Sequence, residues 1–142
     1  MATVRQLLNQ KGVTVHSIEP DSTVFNAIAK MAEHDVGSLV VLDGIKIVGL
    51  ITERHYARNV VLKGKASPTT LVRDIMERHV VCARPDQTIE QCMALMSDKR
   101  VRHLPVLEDK KVIGILSIGD LVKSIIGDQK FIIEQLENYI HA

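Results

Sequence analysis

The 142-residue sequence has no tryptophan, two tyrosines, two phenylalanines, four prolines and two cysteines. So few aromatic side chains leave little on which bases can stack, which argues against single-stranded nucleic-acid binding. Arg100, Arg102, Lys110 and Lys111 supply a local basic set, yet the formal net charge is only +1. No global field then draws in nucleic acid or an acidic membrane. Cys82 and Cys92 have neither the number nor the spacing of a disulfide framework or a zinc site, and read as small core thiols. No apolar run approaches the roughly 20 residues that cross a bilayer, so no membrane association is expected. The opening residues Met-Ala-Thr-Val-Arg-Gln show no apolar stretch of a signal peptide, and a cytoplasmic location is the expectation. Phosphate-loop, GxGxxG, zinc-site and nucleophile–base spacings are missing too, so the chain is not expected to be an enzyme.

What the chain does have is an internal repeat. From Val15 to Arg58 and from Val80 to Lys123, residues match without a gap at a shift of 65 positions. Pro20-Asp21 recurs as Pro85-Asp86, Thr23 as Thr88, Met31 as Met96, Val41-Leu42 as Val106-Leu107, and Gly49 as Gly114. Two copies of one small unit are implied, each near the size at which a core becomes marginal, so the two are expected to share one core. Clefts between such units are where small ligands usually bind.

Periodicity predicts the same elements in both copies. The first has a strand over Val13–Ile18 and a helix from Thr23 with Val24, Ala27, Ile28 and Met31 on one face. A hairpin follows around Asp43-Gly44, then a helix capped by Thr52. The second has a strand over Val80–Ala83, a helix with Ile89, Cys92, Met93 and Met96, a hairpin around Glu108-Asp109, and a helix capped by Ser117 that ends near Gly127. Thr3–Gln10 and Leu71–Glu77 read as short leading helices. The expected fold class is therefore α/β: two pseudo-symmetric repeats, each strand, helix, strand, strand, helix. Residues 1–64 form the first repeat with its leading helix, 65–70 a linker, and 71–127 the second repeat. Residues 128–142 add an amphipathic helix striped with Phe131, Ile132, Leu136, Tyr139 and Ile140, which needs a partner surface.

The ends of the two units carry the candidate chemistry. In Gly114-Ile115-Leu116-Ser117-Ile118-Gly119-Asp120 the hydroxyl stands at a helix N-terminus, where free N–H groups favour anions. Asp120, three residues on, can accept two hydrogen bonds from a ribose diol. The same pair also fits a capping box that needs no ligand. The first copy reads Gly49-Leu50-Ile51-Thr52-Glu53-Arg54-His55, with His55 in place of the carboxylate. In Lys99-Arg100-Val101-Arg102-His103, the last two could enter the cleft and bind phosphate, Arg102 by its planar fork, or could form a solvated basic turn. Their counterparts are Gly37 and Ser38, so the two clefts are not expected to be equivalent. Arg54 and Arg58, four apart on one helix face, fit either phosphate binding or solvation. His16, His34, His79 and His141 have no ligand-like spacing and read as surface residues.

These residues resemble tandem CBS domains, named after cystathionine β-synthase, which pair as a Bateman module. The marks are Met-Ser-Asp-Lys-Arg-Val-Arg-His-Leu-Pro-Val-Leu and Lys-Val-Ile-Gly-Ile-Leu-Ser-Ile-Gly-Asp-Leu-Val. Repeat 1 supplies Val-Gly-Ser-Leu-Val-Val-Leu-Asp-Gly and Ile-Val-Gly-Leu-Ile-Thr-Glu-Arg. The resemblance covers Val4 to Ile126. It implies an adenosine nucleotide (AMP, ATP or NAD) in the clefts, no catalytic cofactor, and a regulatory role exerted on another protein. Ser117 would contact phosphate or ribose, and Asp120 the ribose hydroxyls. Arg102 and His103, with Arg54 or Arg58, would hold phosphate, and adenine would lie along Val13, Thr14 and Val15. Thr52 remains in the first copy without its diol acceptor, so one well-formed site centred on Asp120 is expected and one degenerate or empty one. The family also implies a homodimer. The competing expectation is a constitutive dimeric scaffold with vestigial clefts.

Overall fold

Hydroxyl side chains start the helices of this chain. Thr3, Thr23, Thr52 and Thr88 each accept a hydrogen bond from a backbone N–H three residues on, and Ser117 does the same for Asp120. Each satisfies one of the N–H groups a helix start leaves open. The structure, a computed structural model, describes residues 2–141. Its elements run α1 (Val4–Lys11), β1 (Ser17–Ile18), α2 (Val24–His34), β2 (Ser38–Asp43), β3 (Lys46–Thr52) and α3 (Glu53–Tyr56), the last passing into a π-helical turn over Ala57–Val61. Then come α4 (Val72–Ile75), α5 (Ile89–Lys99), β4 (His103–Glu108), β5 (Lys111–Ser117) and α6 (Ile118–His141). The sheets are β1-β2-β3, with β1 parallel to β2 and β3 antiparallel, and the hairpin β4-β5.

The repeat extends to fine backbone detail. The ladders are irregular at Val41/Leu42 and again at Val106/Leu107. Helices α2 and α5 both end on a left-handed residue, Asp35 (φ 53°) and Arg100 (φ 55°). That conformation closes a helix, and here it turns the following residues toward the other repeat.

Instead of the one shared core expected there are two, because each repeat is completed by a short helix from the other, and packing does not follow chain order. Val4, Leu7 and Leu8 of α1 lie in one core with Ile89, Cys92 and Met96 of α5 and Leu104, Leu116 and Leu121. Val72, Ile75 and Met76, around α4, lie in the other core with Val24, Ala27, Met31, Leu39 and Ile51. The two short helices are thus exchanged between repeats. Backbone bonds fasten both: Val4 N–H to Gln87 C=O at 2.8 Å and Ile89 N–H to Ala2 C=O at 3.1 Å, then Val24 N–H to Thr70 C=O and Val72 N–H to Ser22 C=O, each 2.8 Å. Gly114 and Gly49 admit the exchanged helices. A Cβ on Gly114 would stand 2.6 Å from Leu8 Cδ2, and one on Gly49 would stand 2.5 Å from Met76 Sδ. Those glycines therefore serve core contact rather than the close approach of a ligand.

Three expected elements differ. The strand expected over Val13–Ile18 is only Ser17–Ile18, since pairing with β2 begins at Ser17↔Val40. The strand expected over Val80–Ala83 is reduced to a bridge from Ala83 to Val106. The reason is Pro105: its counterpart Val40 donates its N–H to His16 C=O at 3.2 Å, a bond that proline has no N–H to make. Finally, Gly127 does not end a helix. It is not among the glycines of positive φ, and α6 runs through it to His141. Among the described residues no helix is long and apolar enough to cross a membrane.

Candidate functional site

Two clefts lie between the repeats, one against the start of α6 and one against the start of α3. The first has a volume of about 380 Å³ and the second about 500 Å³. The pseudo-symmetry of the chain relates them. Ile115, Ser117 and Asp120 line the first where Leu50, Thr52 and His55 line the second. Asp35, Val36 and Gly37 line the first where Arg100, Val101 and Arg102 line the second. His103 and Gly37 line both.

Asp120 organises the first cleft. Its Oδ2 accepts from Ser117 N–H at 2.8 Å and from Lys11 Nζ at 2.8 Å, while its own N–H donates to Ser117 Oγ at 3.2 Å. Lys11 Nζ also donates to Ile115 C=O at 2.7 Å. Burial pushes the Asp120 carboxyl up, but the Lys11 ammonium and the Ser117 bonds outweigh it and hold the pKa below the ordinary carboxylate value. The carboxylate is therefore ionised at neutral pH. Both donors fall on Oδ2, so Oδ1 is without a protein donor among the described residues and can accept from a ligand hydroxyl. Capping through Oδ2 therefore leaves Oδ1 open to a ligand.

His55 inverts that chemistry in the second cleft. Thr52 N–H donates to His55 Nδ1 at 3.0 Å, and His55 N–H donates to Thr52 Oγ1 at 3.2 Å. With the Nδ1 lone pair occupied, the neutral ring carries its proton on Nε2 and has a donor where Asp120 has an acceptor. Burial holds the His55 pKa below its ordinary value; Glu77 opposes, and Arg54 and Arg58 assist. Burial likewise lowers the His103 pKa, with Asp120 opposing and Arg102 and Lys11 assisting.

The site residues expected from sequence divide between the two clefts. Ser117, Asp120, Thr14 and His103 line the first, whereas Thr52, Arg54, Arg58, Arg102 and again His103 line the second. Arg102 is thus not beside Asp120, because the position after α5 borders the cleft built on the other repeat's hydroxyl. Val13 and Val15 line neither cleft, and Val13 is 61% exposed. Thr14 alone of that trio borders one of the two cavities. His16 and His34, expected as surface residues without ligand-like spacing, stack with ring centroids 4.0 Å apart; His34 is exposed, whereas His16 is half-buried and lines the first cleft. Lys11 has no place in the sequence reading: its repeat counterpart is Met76, so the duplication hides it, and only its position at the end of α1 hinted at a role. Among the described residues no group of three or more His, Cys, Asp or Glu could hold a metal ion.

The CBS domain family model matches residues 4–61 and 72–127. The chain belongs to the CBS domain family. It is 35% identical over 149 aligned residues, 99% of this chain and 72% of its relative, to the mitochondrial CBS domain-containing protein CBSX3 of Arabidopsis thaliana. A solved CBS-domain protein from Burkholderia ambifaria is 47% identical, with a TM-score of 0.87 over 90% of this chain and 96% of that one. A more distant CBS domain pair, solved with 5′-methylthioadenosine and S-adenosyl-L-methionine, is 22% identical and has a TM-score of 0.76 over 90% of this chain and 98% of that one. Both match this two-repeat α/β fold.

Proposed function

We propose that this CBS pair is a regulatory sensor that binds an adenosine nucleotide of the AMP, ATP or NAD type in the first cleft and acts on another protein. The observation that carries the reading is Asp120: an ionised carboxylate at the start of α6, fixed through Oδ2 by Ser117 and Lys11, with Oδ1 free for a ribose diol. That a distant member of the fold was solved with two adenosine derivatives supports the ligand class. Ser117 and the first N–H groups of α6 favour an anion nearby. Regulation follows if the ligand prefers one arrangement of the two repeats, since only differential affinity can shift an equilibrium.

The partner surface is α6. Phe131, Ile132, Ile133, Leu136 and Tyr139 are all more than half exposed. Ile118, Val122, Ile125, Ile132, Leu136 and Tyr139 follow alternating steps of four and three residues, with Gln129 the one polar member, which is the pattern of a helix-pairing seam. A homodimer is the reading this stripe supports.

A thermal-shift series with AMP, ADP, ATP, NAD, NADH and S-adenosylmethionine, on wild type and Asp120→Ala, tests the sensor. A ligand at a hundred times its Kd stabilises the folded state by about 2.7 kcal/mol. A shift that is lost in the variant is the expected result. No shift with any of them leaves a constitutive dimeric scaffold with vestigial clefts.

A further inference from the structure

We infer that α6 pairs with α6 of a second copy of this chain in the antiparallel sense, with Ile133 beside the twofold axis. This rests on the homodimer reading of the helix and adds the direction and register of the pair.

The seam along α6 has two unlike flanks. One residue after Ile125, Ile132 and Tyr139 come Ile126, Ile133 and Ile140, all exposed. On the other side, one residue before Gln129 and Leu136, come Asp128 and Gln135, also exposed. Residues that flank a helix seam set the choice and orientation of the partner. In a parallel pair each flank faces the opposite flank of its partner. Asp128 would then meet Ile133 of the second copy, and Gln135 would meet Ile140, so each contact would set a polar side chain against an isoleucine. In an antiparallel pair like flanks meet. Ile133 lies against Ile133 across the axis and Ile126 against Ile140, while the glutamines at 135 face each other at the wet edge. Every contact off the axis occurs twice, as an isologous interface requires.

The seam itself selects the register. With Ile133 at the axis, Ile132 stands opposite Leu136 of the second copy and Gln129 stands opposite Tyr139. The amide of Gln129 thus meets the phenol hydroxyl, a group with which it can exchange a hydrogen bond. Sliding the helices past each other by one heptad would set Gln129 against Ile132 instead, and a covered amide without a polar partner is costly. Charge agrees with the same register. Lys130 and Glu137 both lie beyond the isoleucine flank and are exposed. In the antiparallel pair they come to one level with opposite sign.

Disulfide trapping tests the direction. Gln129→Cys and Tyr139→Cys chains are refolded separately and as an equal mixture, oxidised, and compared on a non-reducing gel. Wild type supplies the background, since its Cys92 is buried and its Cys82 half-buried. Both substituted positions are exposed in the single chain, so the cores stay intact. Opposed seam positions bring Cα atoms to about 6 Å, within disulfide reach. The expected result is a doubled mass in the mixture and not in either variant alone. A second measurement leaves the seam untouched: spin labels on Lys123→Cys should lie about 33 Å apart along the helix axis in the antiparallel pair, at a rise of about 1.5 Å per residue, and at one level in a parallel pair. Doubled mass from each variant alone, or labels at one level, overturns the inference and leaves the homodimer reading standing. Chains that sediment as dimers yet give no doubled mass in the mixture also overturn it. A wild-type chain that sediments as a monomer overturns both.

Discussion

Lys11, the last residue of α1, reaches Asp120 in the first turn of α6, placing Nζ 2.8 Å from Oδ2 across 109 positions of sequence. The Lys11 side chain is 28% exposed and that of Asp120 22%, so the pair is partly screened by solvent. It also ties α1 to the cleft it borders. Replacing Lys11 with methionine, the residue at the equivalent place in the other repeat, removes the pair while Ser117 N–H still holds the carboxylate. The expected cost is about 1 kcal/mol in urea unfolding, in line with a hydrogen bond to a charged group that is partly offset by recovered solvation. Adding salt should narrow the gap between wild type and variant, and a gap that widens with salt would contradict the pair.

Acid should destabilise the protein in two stages. His55 and His103 titrate below the ordinary histidine value of 6.5 because burial disfavours their charged forms. Between that value and their folded pKa the unfolded chain binds more protons, so stability is full above 6.5 and declines as pH falls beneath it. Asp120 titrates below the ordinary 3.8, so its contribution is present above that value and is lost as pH falls further. A melting-temperature profile should show a decline beginning just under pH 6.5. His55→Gln should flatten that first limb, and a limb unchanged in His55→Gln and His103→Gln would show that other groups govern it.

Gly49→Ala and Gly114→Ala should each destabilise by about 1–3 kcal/mol, the usual cost of overpacking. At Gly49 the new methyl meets Met76 Sδ at 2.5 Å and the Glu77 carbonyl oxygen at 3.0 Å, and backbone cannot step aside. At Gly114 its three nearest neighbours all belong to the Leu8 side chain, the first at 2.6 Å. Equilibrium unfolding should therefore rank Gly49→Ala as the more damaging, and equal or reversed costs would mean that α4 yields more readily than α1.

Removing residues 128–142 should leave both cores folded, since every residue that the cores bury precedes them. The exposed stripe from Phe131 to Ile140 goes with the deletion. Sedimentation should find the full chain dimeric and the shortened one shifted toward monomer. If the shortened chain dimerises as strongly, the interface lies on the body.

The fold was legible wherever the repeat repeated itself: hydroxyl caps, the α2 and α5 stripes and both hairpins follow from two copies of one pattern. Ser117 and Asp120 were legible for the same reason, as a helix start that recurs with one substitution. What the pattern hid arose from differences between copies. Pro105 for Val40 erases a strand, because one missing N–H breaks a parallel pairing that was only two residues long. Lys11 for Met76 creates an ion pair that spacing cannot foresee, since it joins residues far apart in the chain. Arg102 was legible as a phosphate candidate but not as to which cleft it faces, because that depends on how the copies are turned on each other.

The exchange of α1 and α4 makes the two repeats a clasped pair. A cut in the connecting segment 65–70 would free two fragments, each holding a helix that belongs in the other's interior, so neither could complete itself alone and the two would have to recombine to fold. Within the intact chain the same clasp limits how far the repeats can move against each other. Neither repeat can drift away from the other without emptying a core. Any rearrangement between the repeats is therefore confined to a small turn inside a tethered body.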